Sequence, residues 1–183
     1  YGSGNAGTTN VMRTLGKKAG IATYLLDAFK AVIADILIHF LIVPHTAIPE
    51  MLLFLYCGLG IVLGHNFPFY LGFRGGKGIA ASAGMLLALD WRVFLICAAV
   101  FIGIVVITRY VSLGSMAAYI GALSCFVCFG AAGSYGMDFS YTLEMDVIMG
   151  LMTALAIYRH RANISRLLNG TENKLGAGKA AQK

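Results

Sequence analysis

Four short polar stretches interrupt an otherwise apolar chain, and each is built from groups that hold anions. They read GSGNAGTTNVMR (2–13), GHNFPFYLGFRGGKG (64–78), RYVSLGS (109–115) and HRANISRLLNGTE (160–172). In the first, Gly2, Gly4 and Gly7 let backbone N–H groups approach an anion closely, while Ser3, Asn5, Asn10 and Arg13 add hydroxyl, amide and guanidinium donors. The second sets His65, Asn66, Arg74 and Lys77 among five glycines, with Gly75, Gly76 and Gly78 flanking the lysine. The third supplies Ser112 and the fourth His160, Asn163 and Glu172. On a helix, His160 and Asn163 at i, i+3 share a face. Taken singly, several of these residues have ordinary explanations. A histidine at a helix end compensates the dipole, and an arginine such as Arg74 snorkels at a membrane interface. The weight lies in the combination.

Two known anion-binding patterns are excluded. Gly2, Gly4 and Gly7 spell G-x-G-x-x-G, and Asp27 lies about 20 residues on, where a ribose-binding acid would stand. A dinucleotide site also needs a strand before the glycines and a parallel sheet beneath them, and the sequence offers neither. The second stretch is not a Walker A loop either: Lys77 is followed by Gly78 rather than Ser or Thr, and the position of the first required glycine is Leu71.

The elements that must position these groups follow from composition. Hydrophobic residues make up 58% of the 183 and charged residues 12%, against roughly 25% charged in soluble domains, and mean hydropathy is +0.77. The chain reads as an all-α integral membrane bundle, one domain over 1–183, with 170–183 a flexible tail. Apolar segments at 20–43, 51–66, 77–89, 93–108, 113–133 and 143–158 give six expected transmembrane helices, 77–89 being short for a span of roughly 20 residues. With six crossings, 12 of the 14 Lys and Arg residues fall on one side, and Glu50, Asp90 and Asp138 lie opposite. The positive-inside rule then puts all four polar stretches in the cytoplasm.

The formal charge of +6 comes without a basic run interleaved with aromatics, so no nucleic-acid partner is expected. Cys125 and Cys128 form a C-x-x-C inside SCFVCFG with no acidic or His ligands nearby, which reads as small residues packing in a helix. No metal site and no cofactor are indicated. Within GLGIVLG, the Gly60 to Gly64 spacing suits close helix approach. Asp27 and Lys30 at i, i+3, and Asp35 and His39 at i, i+4, place charge inside the first span, where it should face the bundle.

In order and approximate spacing the four stretches resemble those of the bacterial acyl-phosphate:glycerol-3-phosphate acyltransferases, the PlsY family, over essentially the whole chain. The resemblance implies a seven-helix protein of the bacterial inner membrane with its site on the cytoplasmic side. Such a protein moves a fatty acyl group from acyl phosphate to the 1-hydroxyl of glycerol 3-phosphate, giving lysophosphatidic acid and phosphate. It implies a helix before Tyr1. It also implies catalytic roles for Ser3, Arg13, Lys77, His160 and Asn163. Substrate binding would fall to Gly4, Asn5, Asn10, His65, Asn66, Arg74, Gly75, Gly76, Gly78 and Ser112, and Glu172 would be structural. Where a proline commonly follows the first-motif asparagine, this chain has Ala6.

An acyl phosphate is a mixed anhydride whose phosphate leaves readily, so no acyl-enzyme is required. The site must hold two phosphates together and align a hydroxyl with a carbonyl, positioning worth up to about 7–11 kcal/mol. Either His160 or the substrate's own phosphate oxygen accepts the hydroxyl proton. Acyltransferases of the H-x-x-x-x-D type are excluded, because no Asp lies five positions after His39, His45, His65 or His160. The rival class is an organic-anion or phosphate transporter, for which the anion-binding groups should sit near the midplane rather than in loops on one side. Membrane lipids are the remaining expected partners; oligomeric state is not legible in the sequence.

Overall fold

Glycine at position 16 divides the first polar stretch from the first long apolar one. Its φ of +93° lies outside the range L side chains favour, so the chain turns there between an amphipathic helix, α1 (Thr8–Leu15), and the long α2 (Lys17–Leu41). The computed structural model describes residue 2 and residues 4–176. Within them the order continues with α3 (Glu50–Asn66), α4 (Ile79–Leu89), α5 (Trp91–Thr108), α6 (Val111–Ala131), α7 (Phe139–Arg159) and α8 (Arg161–Leu168); the described residues contain no strand.

The connections are short and have local causes. Asp90 caps α5 by accepting from the Arg92 N–H at 2.9 Å, and its carboxylate also takes the Arg92 guanidinium. Arg109 closes α5 in the left-handed region, φ +64°, and sends the chain straight into α6. His160 joins α7 to α8, its carbonyl accepting from the N–H groups of Asn163 and Ile164.

The helices pack as one bundle: α4 lies against α2 and α3, α5 against α6, and α7 against α6 and α3. Lipid is as apolar as leucine, so such packing depends on close fit more than on escape from solvent. Phe126, Leu52, Leu55, Met145, Met149 and Met152 fill the interior. The closest helix approaches are at Gly84, where an added Cβ would meet the Ala28 carbonyl at 2.1 Å, and at Gly58, where it would meet Met85 Sδ at 2.1 Å. This corrects the sequence expectation, because Gly60 and Gly64 face open space. Their spacing marks a stripe of small residues but not which side of α3 a neighbour occupies.

Large apolar side chains including Phe29, Phe40, Ile102, Ile107 and Leu151 are exposed on the outside of the bundle, the surface of a membrane protein. Four helical stretches among the described residues are long and apolar enough to cross a membrane: Glu50–Leu71, α5, α6 and α7. The other two expected crossings fall short of that criterion in different ways. α2 has 25 residues but carries Asp27, Lys30 and Asp35. α4 is apolar but has 11 residues, and it is enclosed by its neighbours, with Ala80, Ala81, Ser82, Gly84, Met85 and Leu86 buried.

Candidate active site

The polar stretches converge at one end of the bundle. The glycine-rich segment after α3 folds back on the helix end, the Gly75 N–H donating to the Asn66 carbonyl at 3.2 Å and the Gly76 N–H to the His65 carbonyl at 3.1 Å. Glycine is obligatory at Gly75, where a Cβ would run into backbone, and a side chain at Gly76 would have to displace the His65 ring. A Cβ on Gly75 would lie 2.0 Å from the His65 carbonyl oxygen, and one on Gly76 would lie 2.0 Å from His65 Nε2. From the end of α7, Arg159 donates to the carbonyls of Gly75 and Gly76 at 3.0 and 2.7 Å. The turn is thus pinned from both sides, and Lys77 follows it. Gly78, at φ +79°, then starts α4.

Lys77 donates from Nζ to Asn163 Oδ1. An ammonium has only donors, so this contact fixes the Asn163 amide, whose Nδ2 then donates to Glu172 Oε1 at 2.7 Å. The Ser112 hydroxyl donates to the same oxygen at 2.8 Å. Arg166 Nε donates to the other, Oε2, at 2.7 Å. Glu172 is therefore the hub of a network drawn from α4's entry, α6 and α8, and its carboxylate is buried. Burial pushes its carboxyl up, but the hydrogen bonds from Asn163, Ser112 and Arg166 outweigh this and hold it below the usual glutamate range.

The surrounding charge is positive. Burial first, with the nearby cations Arg166, Arg159 and Arg13 adding to it against the opposing pull of Glu172, brings Lys77 down to about 8. Burial is the main cause of this shift; separately, three arginines against Glu172 leave the surroundings of Lys77 net positive, which suits an anion. His160 is 2% exposed. Its Nδ1 lies 2.8 Å from the Ala156 carbonyl, which only accepts, so the ring proton sits on Nδ1 and Nε2 keeps its lone pair. Burial, then the Lys77 charge, lowers His160 to about 4. It is neutral at physiological pH and weakly basic.

Beside this network a cleft of about 470 Å³ is lined by the charged or polar Asp27, Lys30 and His65, by Gly75 and Gly76, and by the apolar Ala6, Ile61, Pro68 and Leu71 with Tyr70. A smaller one of about 220 Å³ is lined by Gly4, Asn5, Phe73, Arg74, Gly75 and Arg159. Asn5 also shapes the N-terminal loop, its Oδ1 accepting from the Gly7 N–H at 2.9 Å just before α1. Arg13 is exposed on α1, near enough to act on the Lys77 charge. Asn10 packs against Gly2. Asn66 is fully buried under the turn, its side-chain amide without a partner among the described residues, and it lines neither cleft. Ser3 lies outside the described residues. Residues 170–176, expected from sequence to begin a flexible tail, fold back on the bundle. Glu172 joins the network there, the Leu175 N–H donates to the Arg109 carbonyl at 2.7 Å, and Arg109 Nη2 donates to the Leu175 carbonyl at 2.8 Å. Residues 177–183 lie outside the described set.

Sequence reasoning missed Arg159, Arg166 and the union of Asp27 and Lys30 with His65. The signal for Arg159 was its place one residue before His160; basic residues at the end of a span otherwise read as topology markers. Among the described residues no group of three His, Cys, Asp or Glu side chains gathers to hold a metal. Chemically, the arrangement offers one enclosed cationic site, a rigid glycine turn with an open amphipathic cleft beside it, and a neutral imidazole.

A family model described as "Glycerol-3-phosphate acyltransferase" matches residues 1–170. The chain is 46% identical over 178 residues to a glycerol-3-phosphate acyltransferase of Clostridioides difficile (strain 630), spanning 97% of this chain and 81% of that one. It is 41% identical over 176 residues to one from Thermoanaerobacter sp. (strain X514), spanning 96% and 80%. Among solved structures it is similar to PlsY (YgiH), an integral membrane glycerol 3-phosphate acyltransferase. The glycerol 3-phosphate form gives a TM-score of 0.79 at 40% identity over 96% of this chain and 80% of that one. The lysophosphatidic acid form gives 0.77 at 39% over 95% and 81%.

Proposed function

The chain belongs to the glycerol-3-phosphate acyltransferase family and is an acyltransferase of glycerol 3-phosphate; from that premise we propose that its donor is an acyl phosphate, that transfer is direct, and that the site at the glycine-turn end of the bundle performs it from the cytoplasmic face of the bacterial inner membrane. The observation that carries this reading is the pairing of two different anion-suited regions across one turn, Gly75–Gly76. The enclosed network of Lys77, Asn163 and Ser112, with Arg13 nearby, suits the phosphate of a small hydrophilic substrate. The open cleft at His65, whose lining includes Ile61, Leu71 and Tyr70, suits a phosphate that carries an acyl chain.

In this scheme the glycerol 1-hydroxyl attacks the acyl carbonyl, the C–O bond to phosphate breaks, and phosphate leaves. Lys77 supplies charge and the turn's rigidity supplies alignment. Asn5, Asn10 and the hydroxyl of Ser3 add donors at the N-terminal loop, while Gly4 and Gly78 leave room for backbone approach. Arg74 extends the positive rim. His160, lowered to about 4, is a poor proton acceptor. A phosphate oxygen, with a second pKa of about 6, is the better one. In this reading the leaving phosphate accepts the hydroxyl proton, and His160, whose Nε2 keeps its lone pair, orients glycerol 3-phosphate by accepting from one of its hydroxyl groups. Glu172 stays structural, and no cofactor or metal takes part. The whole of 1–183 acts as one membrane-embedded domain.

The test is phosphate release from palmitoyl phosphate by the purified protein in lipid. Release that requires glycerol 3-phosphate and yields 1-acylglycerol 3-phosphate supports the reading. Equal or faster turnover with acyl-CoA or acyl-ACP contradicts the donor, and anion uptake into vesicles without phosphate release favours a transporter instead.

A further inference from the structure

Two charged residues of α2 have no part in the reaction described so far. Asp27 and Lys30 pair at 2.6 Å, one helical turn apart, on the wall of the open cleft. Lys30 also lies 2.9 Å from His65 Nδ1, and the nearest Asp27 oxygen is 3.3 Å from the same nitrogen. The three groups thus meet at a single atom of the imidazole, and the ring's other nitrogen, Nε2, points at Gly76.

The contact chemistry decides where the ring proton sits. The Lys30 ammonium has three donors and no lone pair, so at 2.9 Å it donates and Nδ1 accepts. The alternative, an Nδ1–H donating to Asp27, would use the longer contact and would set an N–H against an ammonium. Asp27 instead orients Lys30. The Nδ1 of His65 being the acceptor, the neutral ring carries its proton on Nε2. That atom has no hydrogen-bond partner among the described residues.

We propose that the Asp27–Lys30 pair is a positioning device which fixes His65 as the Nε2–H tautomer, so that His65 presents a hydrogen-bond donor beside Gly75 and Gly76 to the phosphate of the acylated substrate. His65 is then a hydrogen-bond donor at Nε2, whereas His160, whose proton sits on Nδ1, is a hydrogen-bond acceptor at Nε2. The two imidazoles on either side of the glycine turn are held in opposite tautomers by opposite partners, an ammonium for one and a carbonyl for the other. This inference rests on the acyl-phosphate reading above, but the tautomer itself does not.

The experiment uses the full-length protein in lipid nanodiscs with 15N-labelled histidine, the His65 resonances being identified by their loss in His65→Gln. The wild type is expected to show a protonated Nε2 and a bare Nδ1 at His65, and Lys30→Met to lose that preference. In kinetics, Lys30→Met should raise KM for palmitoyl phosphate by about tenfold, the worth of one hydrogen bond to a charged group, and move KM for glycerol 3-phosphate by less than about twofold. Lys30→Gln, which keeps a donor without the charge, should restore most of the loss and serves if the Met variant does not fold. A proton on Nδ1 in the wild type overturns the proposal, as does an unchanged KM for palmitoyl phosphate in Lys30→Met or a Gln variant no better than Met. Failure of the wild type to release phosphate from palmitoyl phosphate would instead sink the donor assignment while leaving the tautomer measurement to stand alone.

Discussion

The two anion-suited regions at the working end of the bundle are made of similar residues and differ in how those residues are held. Around Glu172 every polar group has its partner: Lys77 to Asn163, Asn163 and Ser112 to one carboxylate oxygen, Arg166 to the other. Around His65 only Nδ1 is hydrogen-bonded, while Nε2 lies against Gly76 at a cleft whose lining includes apolar side chains. A closed network is rigid and selects a small ligand that replaces part of it. An open cleft of mixed lining accepts a ligand with a polar head and a greasy tail. The Gly75–Gly76 turn, clamped by Arg159, separates them and fixes their spacing.

Removing the charge from the closed side should have the largest effect. Lys77→Met is expected to lower kcat/KM by roughly 10²–10³, the loss found when one preorganised anion-stabilising donor is deleted, with folding intact by thermal melt. An effect smaller than that of His65→Leu would reverse the ranking of the two regions. Next comes pH. With Lys77 at about 8, the free enzyme loses this cation as pH rises, so kcat/KM should fall by about tenfold per unit above pH 8. The kcat profile should break at higher pH, because a bound phosphate dianion stabilises the ammonium. Lys77→Arg should abolish the kcat/KM break near 8. A kcat/KM break that survives in Lys77→Arg would assign it elsewhere.

Glu172→Ala should act through the network. It leaves the Ser112 hydroxyl and the Asn163 amide unpaired, at a cost of about 1–3 kcal/mol, read as a lowered melting temperature together with a raised KM for glycerol 3-phosphate. A normal KM with lowered stability would separate the hub from binding. The smallest change is expected for Arg109→Ala. It removes the donors to the Leu175 carbonyl, so stability should fall by about 0.5–1.5 kcal/mol with activity nearly unchanged; a large loss of activity would extend the closed region to the chain end.

Much of this was legible in the sequence because polar residues stand out in an apolar chain. Lys77, His160 and Asn163 were found by type and spacing, and the helices from α3 to α7 follow the apolar runs closely. What was hidden depends on the third dimension. Arg159 and Arg166 look like any basic residues at the end of a membrane span. Glu172 sits after Gly170 in a polar stretch, and only the fold-back that places Leu175 on Arg109 shows it to be buried. The meeting of Lys30 with His65 crosses 35 residues and two helices, and no local pattern announces it. Gly58 and Gly84 were passed over for Gly60 and Gly64 because spacing gives a stripe but not the neighbour that fills it.

The division of labour between the two regions is tested most directly by crossed kinetics, with KM measured for each substrate at saturation of the other in Lys77→Arg and His65→Leu. Lys77→Arg is predicted to raise KM chiefly for glycerol 3-phosphate and His65→Leu chiefly for the acyl phosphate. If both variants raise KM for the same substrate and leave the other unchanged, the two regions form a single site and the account is wrong.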